Sequence, residues 1–405
     1  MPILFAAPLF NDLAMRFIHA LSRLPDVRLG VISQEPQEKL PPDVRQGLAA
    51  HWRVENALDP GQLAWAARSL SQQLGPPHRL LAINEQIQVP LAEVREQLGI
   101  PGTTAAVAQN FRDKAQMKAV IRAAGLPCAR HRLATHAQEV WDFAGEVGFP
   151  IVVKPPAGAA SQDTFRVGSP EELRALLANT PLHPGDPILL EEFITGEEYS
   201  FDTFSIHGKA LWHSWTHYLP APLEVTRHDW IQWRVVLPRE DDDRLVKDIR
   251  PVALRALEVL GMDTGLSHME WFRRADGSVA ISEVGMRPPG AQITTLMSRA
   301  HAFDCATAWG RLMIFGTFDP PTRQYAAGAA FLRGYGQGRV RAVHGLDQIQ
   351  QAFGPWITEA KIPQIGQEKA TSYEGEGYIM VQHPETAVVE QTLLSIVQTV
   401  RVELG

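Results

Sequence analysis

Apolar residues recur in two rhythms over the first hundred positions. Residues 2–8, PILFAAP, form a nearly continuous apolar run, as in a strand buried on both faces. Residues 11–24 then follow helical spacing, with Asn11 or Asp12 placed to cap the first turn. LGVIS at 29–33 and HRLLAIN at 78–84 predict further strands, and LAEVREQLG at 91–99 predicts a helix closed by Gly99. Strand and helix alternate, so this part is expected to be a parallel sheet with helices on its faces, ending near residue 110. No GxGxxG follows the first strand, so a dinucleotide site is not expected there.

From residue 111 the pattern changes. RDKAQMKAVIRAAGL is an amphipathic helix ending at Gly125, and ATHAQEVWDFAGEVG is a second ending at Gly148. FPIVVKPPAGAASQDTFRVGSPEELRALL reads as strand, loop, strand and helix. Residues 188–219 read as several strands. Residues 220–240, rich in Pro and Trp, read as irregular chain covering a cleft. A helix then runs to Gly261, and residues 287–316 are helical. The remainder mixes strands (AAGAAFLRGYGQGRVRAV, GYIMVQH) with helices (LDQIQQAFG, AVVEQTLLSIVQTVRVEL). Three domains are therefore expected, 1–110, 111–320 and 321–405.

The stretch MEWFRRADGSVAISEV at 269–284 predicts a hairpin. Asp276-Gly277 suits a two-residue loop, because both central positions need φ > 0. With that loop Ala275 faces Ser278, Phe272 faces Ile281, and Glu270 falls opposite Glu283. Like charges across a ladder repel unless they are solvated, protonated or bridged by a cation. A solvated edge and a site for a hard divalent ion both remain open from the hairpin alone.

Composition narrows the classes. The chain has 405 residues, 45% apolar and 20% charged, with net charge −7 and pI about 6.1. Without a basic run, a nucleic-acid partner is not expected. Cys128 and Cys305 are far apart and match no metal-ligand spacing, which fits a reducing compartment. No run of 18 apolar residues predicts a membrane span. MPILFAAPLF lacks a basic leader and reads as a first strand rather than a signal peptide, so a cytoplasmic location is expected. His213 and His217, four apart on a strand, would sit about 13 Å apart and too far for one metal, so surface or interface roles are expected.

Four segments carry candidate chemistry. Lys154 ends an apolar β-branched strand in FPIVVKPP, where a buried lysine needs an anionic partner. The small residues after it, with Ser161, let backbone N–H groups approach an anion, although no Walker A sequence is present and a functionless turn fits equally. Lys114 in FRDK reads by itself as a surface lysine. LLEEFITGEEYSFD places Glu191, Glu192, Glu197 and Glu198 among aromatic residues with a bend at Gly196, so the carboxylates form either a solvated face or a polar site. Arg287 follows Glu283 by four, and its planar fork suits a carboxylate or phosphate, or a surface ion pair. Trp230, Trp233 and Trp271 are candidates for a pocket wall, with core packing the alternative for each.

Taken in order, FRDK, VVKP with its small-residue loop, LEEFITGEE and the E-x12-E hairpin resemble the ATP-grasp ligases, in the branch of carboxylate–amine and L-amino-acid (dipeptide) ligases. The resemblance spans nearly the whole chain. It implies an α/β and α+β ATP-grasp fold, with an N-terminal Rossmann-like domain, a lid at about 125–187 and a C-terminal mixed α/β domain completing the core. It implies that Lys114 and Lys154 reach the ATP phosphates, under a mobile loop at 158–162 that includes Ser161. Glu191 and the backbone of Glu192, Phe193 and Ile194 would hold adenine, and Glu198 the ribose. Glu270 and Glu283 would hold Mg2+ (or Mn2+), and Arg287 the substrate carboxylate or acyl-phosphate.

The family usually has Asn two residues after the second glutamate; Gly285 stands there, so weaker or rearranged binding of one ion is expected. The implied reaction joins a small-molecule carboxylate to an amine through an acyl-phosphate, leaving ADP and phosphate, in a possible homodimer. A biotin-carboxylase-like or purine-pathway enzyme, and a nucleotide-binding protein without turnover, are the rival readings.

Overall fold

The computed structural model describes residues 1–157, 164–179, 187–228, 230–240 and 243–405. The strands β1 (Pro2–Ala6), β2 (Arg28–Ser33), β3 (Ala50–Arg53) and β4 (Arg79–Leu81) form a parallel sheet in the order β3-β2-β1-β4. Strand β1 is buried from Ile3 to Ala6, as its unbroken apolar run requires. The helix Asp12–Ser22 begins where Asn11 accepts a hydrogen bond from the Ala14 N–H at 2.9 Å. Strand order reverses between β1 and β4, so a crevice opens at their carboxyl ends, and Glu85 lies just beyond β4.

A second sheet contains β5 (His131–Ala134), β6 (Ile151–Lys154), β7 (Phe165–Val167) and β8 (Ile188–Glu192), antiparallel in the order β5-β8-β6-β7. The helices Ala137–Val147 and Pro170–Asn179 accompany it. Val140, Phe143, Val153, Leu173 and Leu190 make its small separate core.

The remaining strands are β9 (Glu197–Ile206), β10 (Lys209–Leu219), β11 (Trp233–Leu237), β12 (Gly265–Arg273), β13 (Val279–Gly285), β14 (Ala326–Leu332), β15 (Val340–His344), β16 (Ile357–Lys361), β17 (Gly377–His383) and β18 (Arg401–Leu404). Eight of them build one antiparallel sheet, in the order β13-β12-β9-β10-β11-β14-β17-β16, and β15 pairs with β18. Residues 321–405 therefore extend the central sheet rather than standing apart from it. Residues 220–240 depart from the irregular cover expected of them: they hold the helix Pro222–Arg227 and β11, an interior strand. The apolar WRVVL core of β11 supplies the strand, and the flanking Pro and Trp residues obscured it.

The hairpin reaches its expected glutamate pairing by an unexpected route. The Arg274 N–H bonds the Ser278 carbonyl at 2.9 Å, which leaves a three-residue loop with Gly277 at φ 82°. Phe272 consequently faces Ala280, and Trp271 faces Ile281, one place away from the expected register. A bulge at Ser282 then restores Glu270 opposite Glu283. His213 and His217 lie on β10 and stack on Phe201 and Tyr199, with ring centroids 4.8 and 4.5 Å apart, so packing rather than the surface holds them. No helix among the described residues is long and apolar enough to cross a membrane.

Candidate active site

One face of the central sheet is the floor of a cleft. His268 and Glu270 alternate along β12, and opposite them on β9 stand Asp202 and Ser200, with Glu198 two residues further along. Glu283 joins them from β13. The second sheet provides the facing wall, where Lys154 ends β6 and Glu191 and Glu192 end β8, before Phe193 and Ile194 turn away. The helix Lys114–Ala123 contributes Lys114 and Lys118, one turn apart on one side. Glu85 and Arg287 close one end. Ten of the eleven residues expected from the sequence thus line this one cleft; Ser161, with the loop 158–162, lies outside the described residues.

Close approach of backbones shapes the turn between wall and floor. A Cβ at Gly196 would lie 2.3 Å from the Arg273 carbonyl oxygen, so only glycine lets the chain pass the hairpin and deliver Glu198 to the floor.

The charges are arranged in three groups. Lys114 is buried and pairs with Glu283, contrary to the surface reading of FRDK. Burial by itself would raise the Glu283 pKa, but Lys114 and Lys154 outweigh it and hold the carboxyl at about 2. Glu191 sits between two lysines, with Lys154 Nζ at 2.9 Å and Lys118 Nζ at 3.3 Å. Lys118, which the sequence reading missed, is fully buried and also donates to the Ser282 carbonyl at 2.6 Å. Burial lowers the Lys118 pKa against the pull of Glu191. Glu192 is tied at the cleft edge to Arg130, whose Nε is 2.6 Å from Oε2.

Arg287 is only partly exposed and is already paired. Its Nε and Nη2 donate to Glu85 Oε2 at 3.0 and 2.9 Å. Glu85 was not anticipated, although it lies at the strand-order reversal, where such crevices form. Of the three tryptophans considered for the wall, Trp233 lines the cleft. Trp271 packs against Tyr199 on the other side of the sheet, and Trp230 is largely exposed. The alternation of β12 dictates the Trp271 result, since it neighbours Glu270.

The floor suits a hard cation. Burial, and next the charge of Glu270, push the Glu198 pKa well above its usual value, so the carboxylates here outnumber their local counter-charges. Among the described residues no three His, Cys, Asp or Glu side chains form a ready cluster of metal ligands. Two carboxylates, Glu270 and Glu283, fit an ion that completes its shell with phosphate and water. A Cβ at Gly285 would find its nearest atom, Arg287 Cγ, at 3.6 Å, an ordinary van der Waals contact, so the backbone here does not demand glycine for want of space at Cβ. Its cross-strand partner His268 is buried. Burial disfavours its charge, yet Asp202, with Oδ1 2.6 Å from Nδ1, raises its pKa to about 9.

Residues 119–301 match the ATP-grasp domain family. That span is similar to an ATP-grasp domain. The matched span begins just after Lys118 and contains the second sheet and the hairpin. The L-arginine-specific L-amino acid ligase of Bacillus subtilis is 22% identical over 232 residues, 56% of this chain and 55% of that protein. A D-alanine–D-alanine ligase of Streptomyces griseus is 26% identical over 215 residues, 48% and 53% of the two chains. The chain thus spans about half the length of these relatives.

Among solved structures, the L-amino acid ligase of Bacillus licheniformis superimposes with a TM-score of 0.79 at 16% identity, covering 100% of this chain and 98% of that one. N5-carboxyaminoimidazole ribonucleotide synthetase from Thermotoga maritima gives 0.73 at 16% identity, covering 100% and 99%. These likenesses show the fold expected from the sequence, an ATP-grasp fold behind a Rossmann-like N-terminal sheet.

Proposed function

We propose that the protein is an ATP-dependent carboxylate–amine ligase acting on amino-acid-like substrates. The observation that carries this reading is the convergence of Lys114, Lys154, Glu270, Glu283 and Arg287, brought from one helix, three strands and the segment after β13 into one cleft. In this reading Lys114 and Lys154 bind the triphosphate, and Arg287 holds the carboxylate in line with the γ-phosphorus. Adenine lies along Glu191 to Ile194, and Glu198 faces the ribose. Glu270 and Glu283 would hold magnesium or manganese, which supplies charge neutralisation of the phosphates. The domain limits near 110 and 320, with a lid at about 125–187, belong to the same reading.

A carboxylate oxygen attacks the γ-phosphorus and ADP leaves, giving an acyl-phosphate. An amine then attacks the acyl carbon, phosphate leaves with the C–O bonding pair, and the nitrogen loses a proton. The protein's contribution is positioning, charge stabilisation and exclusion of water. Relatives named as amino-acid ligases favour an amide product over bicarbonate chemistry. The test is phosphate release from ATP with amino acids supplied in pairs, alongside detection of the amide. ATP cleavage that ignores added carboxylates, or that needs bicarbonate instead, contradicts the proposal.

A further inference from the structure

A histidine borders the acidic floor of the cleft. His268 stands two residues before Glu270 on β12, so both side chains face the same way and both line the cleft. Across the ladder Glu270 faces Glu283, and His268 faces Gly285, which offers no side-chain donor. These four positions therefore hold two carboxylates and one imidazole on one face of the hairpin. The imidazole is 8% exposed and held in a fixed orientation. Its Nδ1 lies 2.6 Å from Asp202, which is wholly buried and takes the Ser200 hydroxyl on its other oxygen at 2.8 Å.

The other ring nitrogen, Nε2, faces two residues that line the cleft. The Tyr218 hydroxyl is 3.5 Å away and the nearer Glu270 oxygen 3.7 Å, and neither distance is that of a well-formed hydrogen bond. One nitrogen is thus gripped by a carboxylate while the other is aimed at an acidic floor. Histidines that ligate metals are held in this manner, because the outer carboxylate fixes the tautomer and makes the far nitrogen more basic. The Asp202 charge that favours a proton on the ring favours a metal ion at Nε2 equally, and the ion takes that proton's place. As they stand, these side chains do not form a closed ligand cluster. Neighbouring donors around a six-coordinate ion lie about 3 Å apart, so the 3.7 Å between Nε2 and Glu270 closes with a shift of less than about 1 Å. Glu270, whose side chain is 29% exposed, has room to make it.

We propose that His268 Nε2 is a third protein ligand of the divalent ion held by Glu270 and Glu283, and that the site therefore prefers manganese to magnesium. Magnesium builds its shell from oxygen and gains little from an imidazole, whereas a transition-metal ion accepts a mixed nitrogen and oxygen set. The two carboxylates give affinity for either ion, and His268 gives the discrimination between them. The assignment rests on the ligase reading for the ion's place beside the nucleotide phosphates, but not for the amide-forming step.

The experiment is pulsed electron paramagnetic resonance of Mn2+ bound to the full chain with ADP present. In protein labelled with 15N at histidine alone, the bound ion should show the strong 15N coupling of a directly attached imidazole, and unlabelled protein should show its 14N counterpart. His268→Gln should remove the coupling. It should also lower the ratio of Mn2+ to Mg2+ affinity, read by displacing bound Mn2+ with Mg2+, by at least about 10-fold. The labelled wild type decides the matter even if the variant does not fold. Bound Mn2+ without a directly coupled histidine nitrogen, a coupling that survives in folded His268→Gln, or an unchanged ion ratio overturns the assignment. Failure of Mn2+ to bind with ADP overturns both the assignment and the nucleotide site. Amide assays on the same protein separate the two proposals. A histidine-coupled ion in a protein that forms no amide from any amino-acid pair contradicts the ligase reading alone, whereas amide formation around an ion without histidine nitrogen contradicts the ligand assignment alone.

Discussion

Replacing Glu283 by Gln tests the charge arrangement before any nucleotide is added. Glutamine keeps the shape of the protonated acid but cannot form the pair with Lys114 or face Lys154 as an anion. The displacement of the Glu283 pKa from 4.5 to about 2 corresponds to about 3 kcal/mol favouring the carboxylate in the folded protein. Because the folded value is depressed, that contribution is complete above about pH 4.5 and is lost as pH falls toward about 2. Hydrogen exchange resolved by peptide is the suitable assay, since a chain of this size need not unfold in one step. At pH 7, amides in Lys114–Ala123 and Val279–Gly285 should exchange about 100-fold faster in Glu283→Gln, with the excess shrinking in samples equilibrated below pH 4.5. Exchange identical to the wild type at pH 7, or an excess that grows in acid, would refute the reasoning.

Other perturbations have equally definite outcomes. Lys118→Met leaves Glu191 with one lysine and the Ser282 carbonyl without its donor; a loss of about 3–5 kcal/mol in stability and weaker ADP binding are expected, by chemical denaturation and calorimetry. Gly196→Ala brings a Cβ against the Arg273 carbonyl and should destabilise by at least about 1–3 kcal/mol while displacing Glu198, measured by thermal unfolding and ADP titration. Gly285→Asn places a Cβ in ordinary van der Waals contact, 3.6 Å from Arg287 Cγ, so its melting temperature should stay near that of the wild type, and manganese binding in the presence of ADP, followed by electron paramagnetic resonance, should tighten.

Much of the site was legible because the chemistry follows strand ends. The strand IVVK ends in a lysine that could only be buried beside an acid, and Glu191 is there. The facing glutamates were readable from the hairpin, although the three-residue loop and the Ser282 bulge offset each other and conceal an error in register. Lys118 escaped notice because one lysine on an amphipathic helix looks solvated. The available signal was its position four residues after Lys114, between Met117 and Ile121, both buried in the core. Glu85 and Tyr373 come from loops about 290 residues apart in the chain, and no local pattern in sequence joins them. Only the stacking of the sheets brings such residues together.

The central claim is that a substrate carboxylate becomes an acyl-phosphate. An amino acid labelled with 18O in both carboxylate oxygens, incubated with ATP and an amine in ordinary water, reads this directly by 31P NMR of the released phosphate. The account predicts one labelled oxygen in each phosphate formed together with the amide. Amide formation accompanied by unlabelled phosphate would contradict it.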